Sequence, residues 1–180
     1  MSDPIKHVVR KGKASDVKGL YELYRDVSKI PGGIARTHAE ITESYIEHFL
    51  QTALKRGLII VAQEEGKGGK LRGAIHAYRP NPKAFSHVLS SLTIVVHPDT
   101  QGHGVGRQIF SEFLDTVKKS NRDILRVELF VRESNLRGIL LYETLGFVRE
   151  GRMENRMKRI GGGHEADIYM AWSNPKFKAK

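Results

Sequence analysis

Gly102, Gly104 and Gly106 stand at alternate positions in Val96-His-Pro-Asp-Thr-Gln-Gly-His-Gly-Val-Gly106, between an apolar run and an amphipathic one. Glycines accept positive φ and carry no Cβ, so backbone N–H groups at such a turn form a concave nest that the N-terminus of the next helix extends, and phosphate oxygens bind there without side chains. The chemistry this spacing points to is pyrophosphate binding, with a turn that only joins two elements as the alternative. Two other phosphate motifs fit less well. The dinucleotide fingerprint needs Gly-x-Gly-x-x-Gly and an acidic residue at the end of the next strand. Here the third glycine comes one residue early, and Glu128 falls inside Arg126 to Val131. The nucleoside triphosphate loop needs Gly-Lys-Ser or Gly-Lys-Thr, which does not occur.

A second constellation runs Asn135-Leu-Arg-Gly-Ile-Leu-Leu-Tyr142-Glu-Thr-Leu-Gly146-Phe147. Asn135 suits an N-cap and Gly146 a C′ position, which brackets a helix of about ten residues. At ~100° per residue, Tyr142 returns to within about 20° of the face on which Asn135 starts, so both residues can address one ligand. Asn135 as a plain cap and Tyr142 as a core ring are the structural alternatives. The eight histidines show no His-x-x-x-His or Glu-x-x-His spacing, and cysteine is absent, so no metal site, disulfide or thiolate nucleophile is expected.

The elements that must position these residues follow from periodicity. Val88 to Val96 reads as a strand buried on both faces, ended by Pro98. Val105, Ile109, Phe110, Phe113, Leu114 and Val117 form the buried stripe of a helix whose other face carries Arg107, Glu112, Asp115 and Lys118. Ile124 to Val131 is an apolar strand. Earlier, Ile5 to Arg10 suits a strand, Ser15 a cap for the helix with Val17, Leu20, Tyr21, Tyr24 and Val27, and Thr37-His-Ala-Glu40 a capping box opening a second helix through Ile41, Tyr45, Phe49 and Leu54. Leu58 to Val61 and Leu71 to Tyr78 pair through the turn Gly66-Lys-Gly-Gly69. A long strand after Phe147, a turn at Gly161 to Gly163 and a strand to Trp172 complete the chain.

The two motifs, in this order, resemble the GNAT superfamily of acyl-CoA-dependent N-acetyltransferases. In that family a Gln/Arg-x-x-Gly-x-Gly/Ala loop after the fourth strand holds the pyrophosphate of coenzyme A, a pattern that Gln101, Gly104 and Gly106 fill. Its later Asn-x-x-x-x-x-x-Tyr-x-x-x-Gly-Phe segment is matched by Asn135, Tyr142, Gly146 and Phe147. The resemblance covers Ile5 to Trp172 and is strongest from Leu92 to Phe147. Phe147 to Trp172 is similar to the branch containing phosphinothricin and small amino-acid acetyltransferases. It implies an α/β (α+β) fold in a single domain over residues 1–180, with a core of 5–172 and a basic tail of 173–180. A mixed, mostly antiparallel central sheet of about seven strands, flanked by four helices, is expected.

The chemistry so implied is transfer of the acetyl group of acetyl-CoA to a primary amine of a small molecule or amino acid, by direct attack in a ternary complex. The implied cofactor-binding residues are Ile94, Val95, Val96, Gln101, Gly102, His103, Gly104, Val105, Gly106, Arg107, Asn135 and Tyr142. Backbone N–H groups around Ile94 to Val96 face the oxyanion, and Tyr142 protonates the departing thiolate. Some relatives begin the fourth strand with a glutamate that takes the amine proton; Ser91 stands there in this chain. His76, His87 or a water are the substitutes, and no base is assigned. His97 and His103 flank the loop as cofactor-proximal or surface groups, and Glu40, Tyr78 and Asp167 are candidates to hold the acceptor. Acetylation of a protein N-terminus or lysine, and non-catalytic acyl-CoA binding, are the alternative functions.

Composition agrees with this picture. A chain of 180 residues with 39% hydrophobic and 28% charged residues fits one globular domain. No apolar run approaches the roughly 18 residues of a membrane span, and Met-Ser-Asp-Pro carries no signal-peptide core, so a cytoplasmic monomer or homodimer is expected. The net charge of +10 favours polyanions, of which coenzyme A is one. Basic residues are spread along the chain, with local excesses only at Arg149 to Arg159 and at Lys176, Lys178 and Lys180, and lack interleaved aromatics, which argues against nucleic acid.

Overall fold

A computed structural model of the protein describes residues 6–66, 68–159 and 161–179. Ile5 of the first expected strand, Lys67 of the glycine turn and Lys180 of the tail lie outside the described residues. The strands are β1 His7–Lys11, β2 Gly57–Glu64, β3 Leu71–Tyr78, β4 Val88–Val96, β5 Arg126–Arg132, β6 Val148–Lys158 and β7 His164–Ser173. The helices are α1 Val17–Ser28, α2 Glu43–Arg56, α3 Val105–Ser120 and α4 Leu136–Thr144. The strand order is β1-β2-β3-β4-β5-β7-β6, with β4–β5 parallel and β1–β2, β2–β3, β5–β7 and β7–β6 antiparallel. This is the expected seven-stranded mixed sheet with four helices.

The chain forms two compact units. The first holds the described residues up to Tyr78 with Thr93–Leu114, and the second Arg79–Leu92 with the residues from Asp115 onwards. In the first, α1 buries Leu20, Leu23, Tyr24 and Val27, and α2 buries Ile46, Phe49, Leu50 and Ala53, each set spaced three or four apart as one helical stripe demands. These side chains pack with Ile59, Val61, Ala74 and Val95. Two helix starts differ from expectation. Ser15 is exposed and caps nothing; instead the buried Asp16 accepts from Lys13 N–H (2.8 Å) and from both Arg10 Nη atoms (2.7 and 2.8 Å), anchoring the start of α1 to β1. The Thr37–Glu40 box does form, but around one turn of 3-10 helix, His38–Glu40. Ile41 then turns extended, and α2 starts under its own cap, with Thr42 Oγ1 accepting from Tyr45 N–H at 3.2 Å.

In the second unit, Val127, Leu129 and Val131 on β5 alternate with more exposed neighbours, the period of a strand with one core face, whereas β7 is buried along nearly all its length from Glu165 to Trp172. β6 is an edge strand exposed along nearly all its length. Its arginines and glutamates, and a register shift between Met153 and Met157 with Asn155 at φ 54°, guard that edge against pairing with another chain.

β4 has the expected bounds but not the expected burial. Val88, Leu89 and Val95 are buried, whereas Ser90 to Ile94 are not. The parallel register runs Val88↔Arg126 and Leu89↔Val127, and two residues on Ser91 takes φ 54°, a left-handed conformation costly for any residue with a Cβ. Backbone strain of this kind marks positions that the fold holds for a purpose other than packing.

Candidate functional site

The glycine loop is built outward from the end of β4. His97 N–H donates to Arg72 O on β3 (2.8 Å), and Pro98–Thr100 then make one 3-10 turn. His97 Nδ1 accepts from Asp99 N–H (3.3 Å) and lies 3.2 Å from Arg72 Nη1, which puts the ring proton on Nε2, 3.7 Å from Asp26 on α1. Arg72 is also held by Glu64 (2.6 Å). His97 thus belongs to a polar cluster that fixes the root of the loop. Thr100 Oγ1 donates to His97 O (3.0 Å), and Gln101 Nε2 to Val96 O (3.1 Å), folding the loop back on its strand.

Beyond Gln101 the backbone is left-handed at Gly102 (φ 85°) and Gly104 (φ 82°), and α3 starts at Val105. Gly106 lies in the first helical turn with no positive φ, so only Gly102 and Gly104 of the three use the left-handed freedom that glycine permits. The backbone donors of this stretch are Thr100, Gln101, His103 and Gln108; among the described residues, the N–H groups of Gly102, Gly104, Val105 and Gly106 donate no hydrogen bond. A Cβ built at Gly104 meets no atom within 4 Å. Four free donors at a helix N-terminus beside open space form a cradle that suits an anion. Val105 and Ile109 anchor the helix start against Gly73 of β3, where a Cβ would come within 3.2 Å of Val105 and 3.3 Å of Ile109. Ile94 and Val96 are half-buried and Val95 is buried. His103 and Arg107 are exposed.

On α4, Asn135 is the N-cap, its Oδ1 accepting from Gly138 N–H at 3.0 Å. Gly138 permits this, because a Cβ there would lie 2.6 Å from Asn135 Nδ2. At the other end Gly146 (φ 91°) forms the C′ residue of a complete Schellman closure: Phe147 N–H donates to Tyr142 O and Gly146 N–H to Glu143 O, both at 3.0 Å. The accompanying apolar contact pairs Phe147 with Tyr142, whose ring centroids lie 6.1 Å apart. The stop signal of the helix therefore also fixes the Tyr142 ring. Tyr142 is only 7% exposed, and burial pushes its phenol up to about 12. It keeps its proton throughout the neutral range.

The acid–base candidates separate clearly. His76 on β3 is fully buried, stacked on Phe49 at 4.2 Å, and burial alone pushes its imidazole down to about 3. Its conjugate acid is too strong to hold a proton at neutral pH, so His76 is corrected from base candidate to core ring. His87, just ahead of β4, is half-buried, and its carbonyl accepts from Leu125 and Arg126 N–H. Glu40 is engaged by Thr37 through both N–H and Oγ1 (2.7 Å each), which lowers its carboxyl. Asp167 on β7 is buried, with Oδ1 unpartnered and Oδ2 3.5 Å from Arg156; burial raises its carboxyl despite Arg156 and Arg132. Sequence reasoning missed Gly73, Gly138 as the partner of Asn135, and the Arg72–His97 root. A lone glycine or arginine inside an element carries no motif. Among the described residues no group of three or more His, Asp or Glu is arranged to hold a metal ion, and no helix is long and apolar enough to cross a membrane.

The sequence model of the acetyltransferase (GNAT) family matches residues 18–147. The chain belongs to the acetyltransferase (GNAT) family. It is 37% identical over 80 residues to the ribosomal protein bS18 alanine N-acetyltransferase of Salmonella typhimurium, a match covering 44% of this chain and 52% of that protein. The chain thus spans about half the length of the first curated relatives it matches. Over 85% of the chain and 86% of the relative, it is 22% identical to the L-amino acid N-acyltransferase MnaT of Escherichia coli. The phosphinothricin acetyltransferase of Sinorhizobium meliloti, solved in complex with acetyl-CoA, shares the fold at a TM-score of 0.76 and 18% identity, covering 97% of this chain and 91% of that one.

Proposed function

We propose that the protein transfers the acetyl group of acetyl-CoA to a primary amine of a small molecule or amino acid, acting in the cytoplasm as a monomer or homodimer. The observation that carries the reading is the cradle of free N–H groups at Gly102, Gly104, Val105 and Gly106, beside space that no side chain fills. It fits a diphosphate in donor geometry and in charge. Bound acetyl-CoA supplies an activated acyl thioester; the protein supplies position and protons. In this reading Gln101 to Arg107 hold the diphosphate, the N–H groups around Ile94 to Val96 orient the thioester carbonyl, and Asn135 shapes the start of α4. Tyr142, whose buried phenol stays protonated, provides a proton to the departing sulfur. Ser91 is no base at neutral pH and His76 stays neutral in the core, which leaves His87 or water to take the amine proton.

Relatives differ in acceptor: a ribosomal protein alanine for one, L-amino acids for another, spermidine for a third. The test is thiol release from acetyl-CoA across a panel of free amino acids, small amines, polyamines and peptides. Saturable release with free amino acids or small amines is expected. Release that needs a peptide and grows with its length selects the protein N-terminal alternative, and acetyl-CoA binding without release from any amine selects the non-catalytic one.

A further inference from the structure

His97 is the residue at which the glycine loop leaves β4, and its ring takes no part in the proposed proton transfers. It caps the 3-10 turn Pro98–Thr100. Proline has no N–H, so the first donor of that turn is Asp99 N–H, which His97 Nδ1 accepts at 3.3 Å. The turn continues with Thr100 N–H and Oγ1 donating to His97 O (3.0 Å each) and Gln101 N–H to Pro98 O (3.1 Å). It delivers the chain directly to the left-handed Gly102 and Gly104. The cap therefore sets where the cradle begins.

Charged groups from three elements face this ring. On β3, Arg72 Nη1 lies 3.2 Å from Nδ1, and Glu64 of β2 fixes Arg72 at 2.6 Å from its Nε. On α1, Asp26 Oδ2 lies 3.7 Å from Nε2; Lys29, at 2.8 Å, holds the Asp26 carboxyl low, and His97 adds to this. In the turn, Asp99 Oδ2 lies 3.6 Å from Nδ1 and 3.9 Å from Arg72 Nη1. The exposed Glu22 and Lys70 line a cavity of about 170 Å³ together with Asp26, Arg72 and His97. His97 keeps 14% of its side chain exposed, so water and protons reach it. An imidazole gains a proton between about pH 8 and pH 5. Once Nδ1 carries hydrogen it cannot accept from Asp99 N–H, and it presents a second cation to Arg72, which Glu64 keeps from moving aside. Asp26 and the exposed Asp99 carboxylate accommodate the added charge. The turn nevertheless loses its cap.

Resting on the reading that the cradle holds the diphosphate of acetyl-CoA, we propose that neutral His97 is a positioning residue for the cofactor: its Nδ1 holds the turn that presents the free N–H groups, and protonation of the ring weakens acetyl-CoA binding. Loss of an N-cap of ordinary strength corresponds to about fivefold in an equilibrium. The added positive charge acts in the opposite sense, favouring an anionic cofactor, but at 0.15 M salt such a field is damped over about 8 Å.

The experiment measures the Kd of acetyl-CoA by calorimetry at 0.15 M salt, from about pH 8 to about pH 5.5, for the parent, His97→Asn and His97→Ala, with a thermal melt at each pH to check the fold. Asparagine offers a side-chain oxygen to Asp99 N–H and does not titrate. Relative to His97→Asn, the parent is expected to lose about fivefold in affinity as the pH falls. At pH 8, His97→Ala binds about fivefold more weakly than the parent, and His97→Asn restores most of that loss. If His97→Ala does not melt cooperatively, the ratio of parent to His97→Asn decides alone. Parent and His97→Asn changing in parallel with pH, the parent gaining affinity relative to His97→Asn on acidification, or a folded His97→Ala binding as tightly as the parent at pH 8 overturns the role of His97 and leaves the cofactor site intact. Absence of acetyl-CoA binding in all three proteins at every pH overturns the transferase reading and this role with it.

Discussion

Gly104→Glu perturbs the proposed phosphate cradle at a point where a side chain meets only open space. The residue sits at φ 82°, and its missing Cβ points into space with no atom within 4 Å, so no neighbour is displaced by a side chain there. Left-handed backbone costs a residue with a Cβ about 1–2 kcal/mol. At ~2–4 °C per kcal/mol for a chain of this size, the unliganded variant melts roughly 2–8 °C below the parent. The effect on binding is larger. A ligand at ~100 times its Kd stabilises the native state by about 2.7 kcal/mol, so acetyl-CoA raises the melting temperature of the parent by ~5–11 °C. In the variant a carboxylate occupies the position of the phosphates and meets their charge with its own, and the shift vanishes. Gly104→Ala separates strain from charge: it shows the same lowered baseline with part of the shift retained. The assay is a thermal melt with and without acetyl-CoA on all three proteins. An undiminished shift in Gly104→Glu refutes the reasoning that these amides hold the diphosphate.

Tyr142→Phe should lower turnover by about 100-fold while the thermal shift given by acetyl-CoA stays unchanged, as the proposed role of its hydroxyl as proton donor requires; steady-state thiol release and the melt together check this. The same phenol has a stability signature. Its folded value of about 12 lies above the unfolded one near 10, so its contribution is complete below pH 10 and is lost as pH rises towards 12. The loss is about 3 kcal/mol in the parent, and chemical denaturation from pH 9 to 12 should show a gentler slope in Tyr142→Phe. His76 acts at the acid end. Its folded value of about 3 lies below the unfolded one near 6.5, so stability present above pH 6.5 falls as pH drops towards 3, by on the order of 5 kcal/mol. His76→Phe, which preserves the stack on Phe49, should flatten that limb in urea titrations and keep its turnover. Loss of turnover with intact acetyl-CoA binding would restore His76 as the base.

Local signals carried much of the fold and half of the site into view. The alternation of β-branched residues bounded β4, the stripe from Val105 to Val117 defined α3, and Asn135 with Gly146 bracketed α4, because each depends on residues within one or two turns of chain. Capping chemistry was recognised but misassigned. Thr37 and Glu40 make their box whether a 3-10 turn or an α-helix follows, and what ends that turn is the extended backbone at Ile41. Asp16 displaced Ser15 because Arg10, on a different element, gives its carboxylate two further donors. The strain at Ser91 has no sequence signal, since serine is rarely chosen for a left-handed position. The cluster of Tyr24, Tyr45, Phe49, His76 and Tyr78 is assembled from three elements far apart in sequence, and each ring read alone is an ordinary core residue.

The central claim is that backbone amides, not side chains, hold the cofactor. A crystal structure of the protein with acetyl-CoA tests it most directly. The account predicts phosphate oxygens at about 2.7–3.2 Å from the N–H groups of Gly102, Gly104 and Gly106. Acetyl-CoA seated elsewhere, or held through lysine and arginine side chains with those amides facing water, would contradict it.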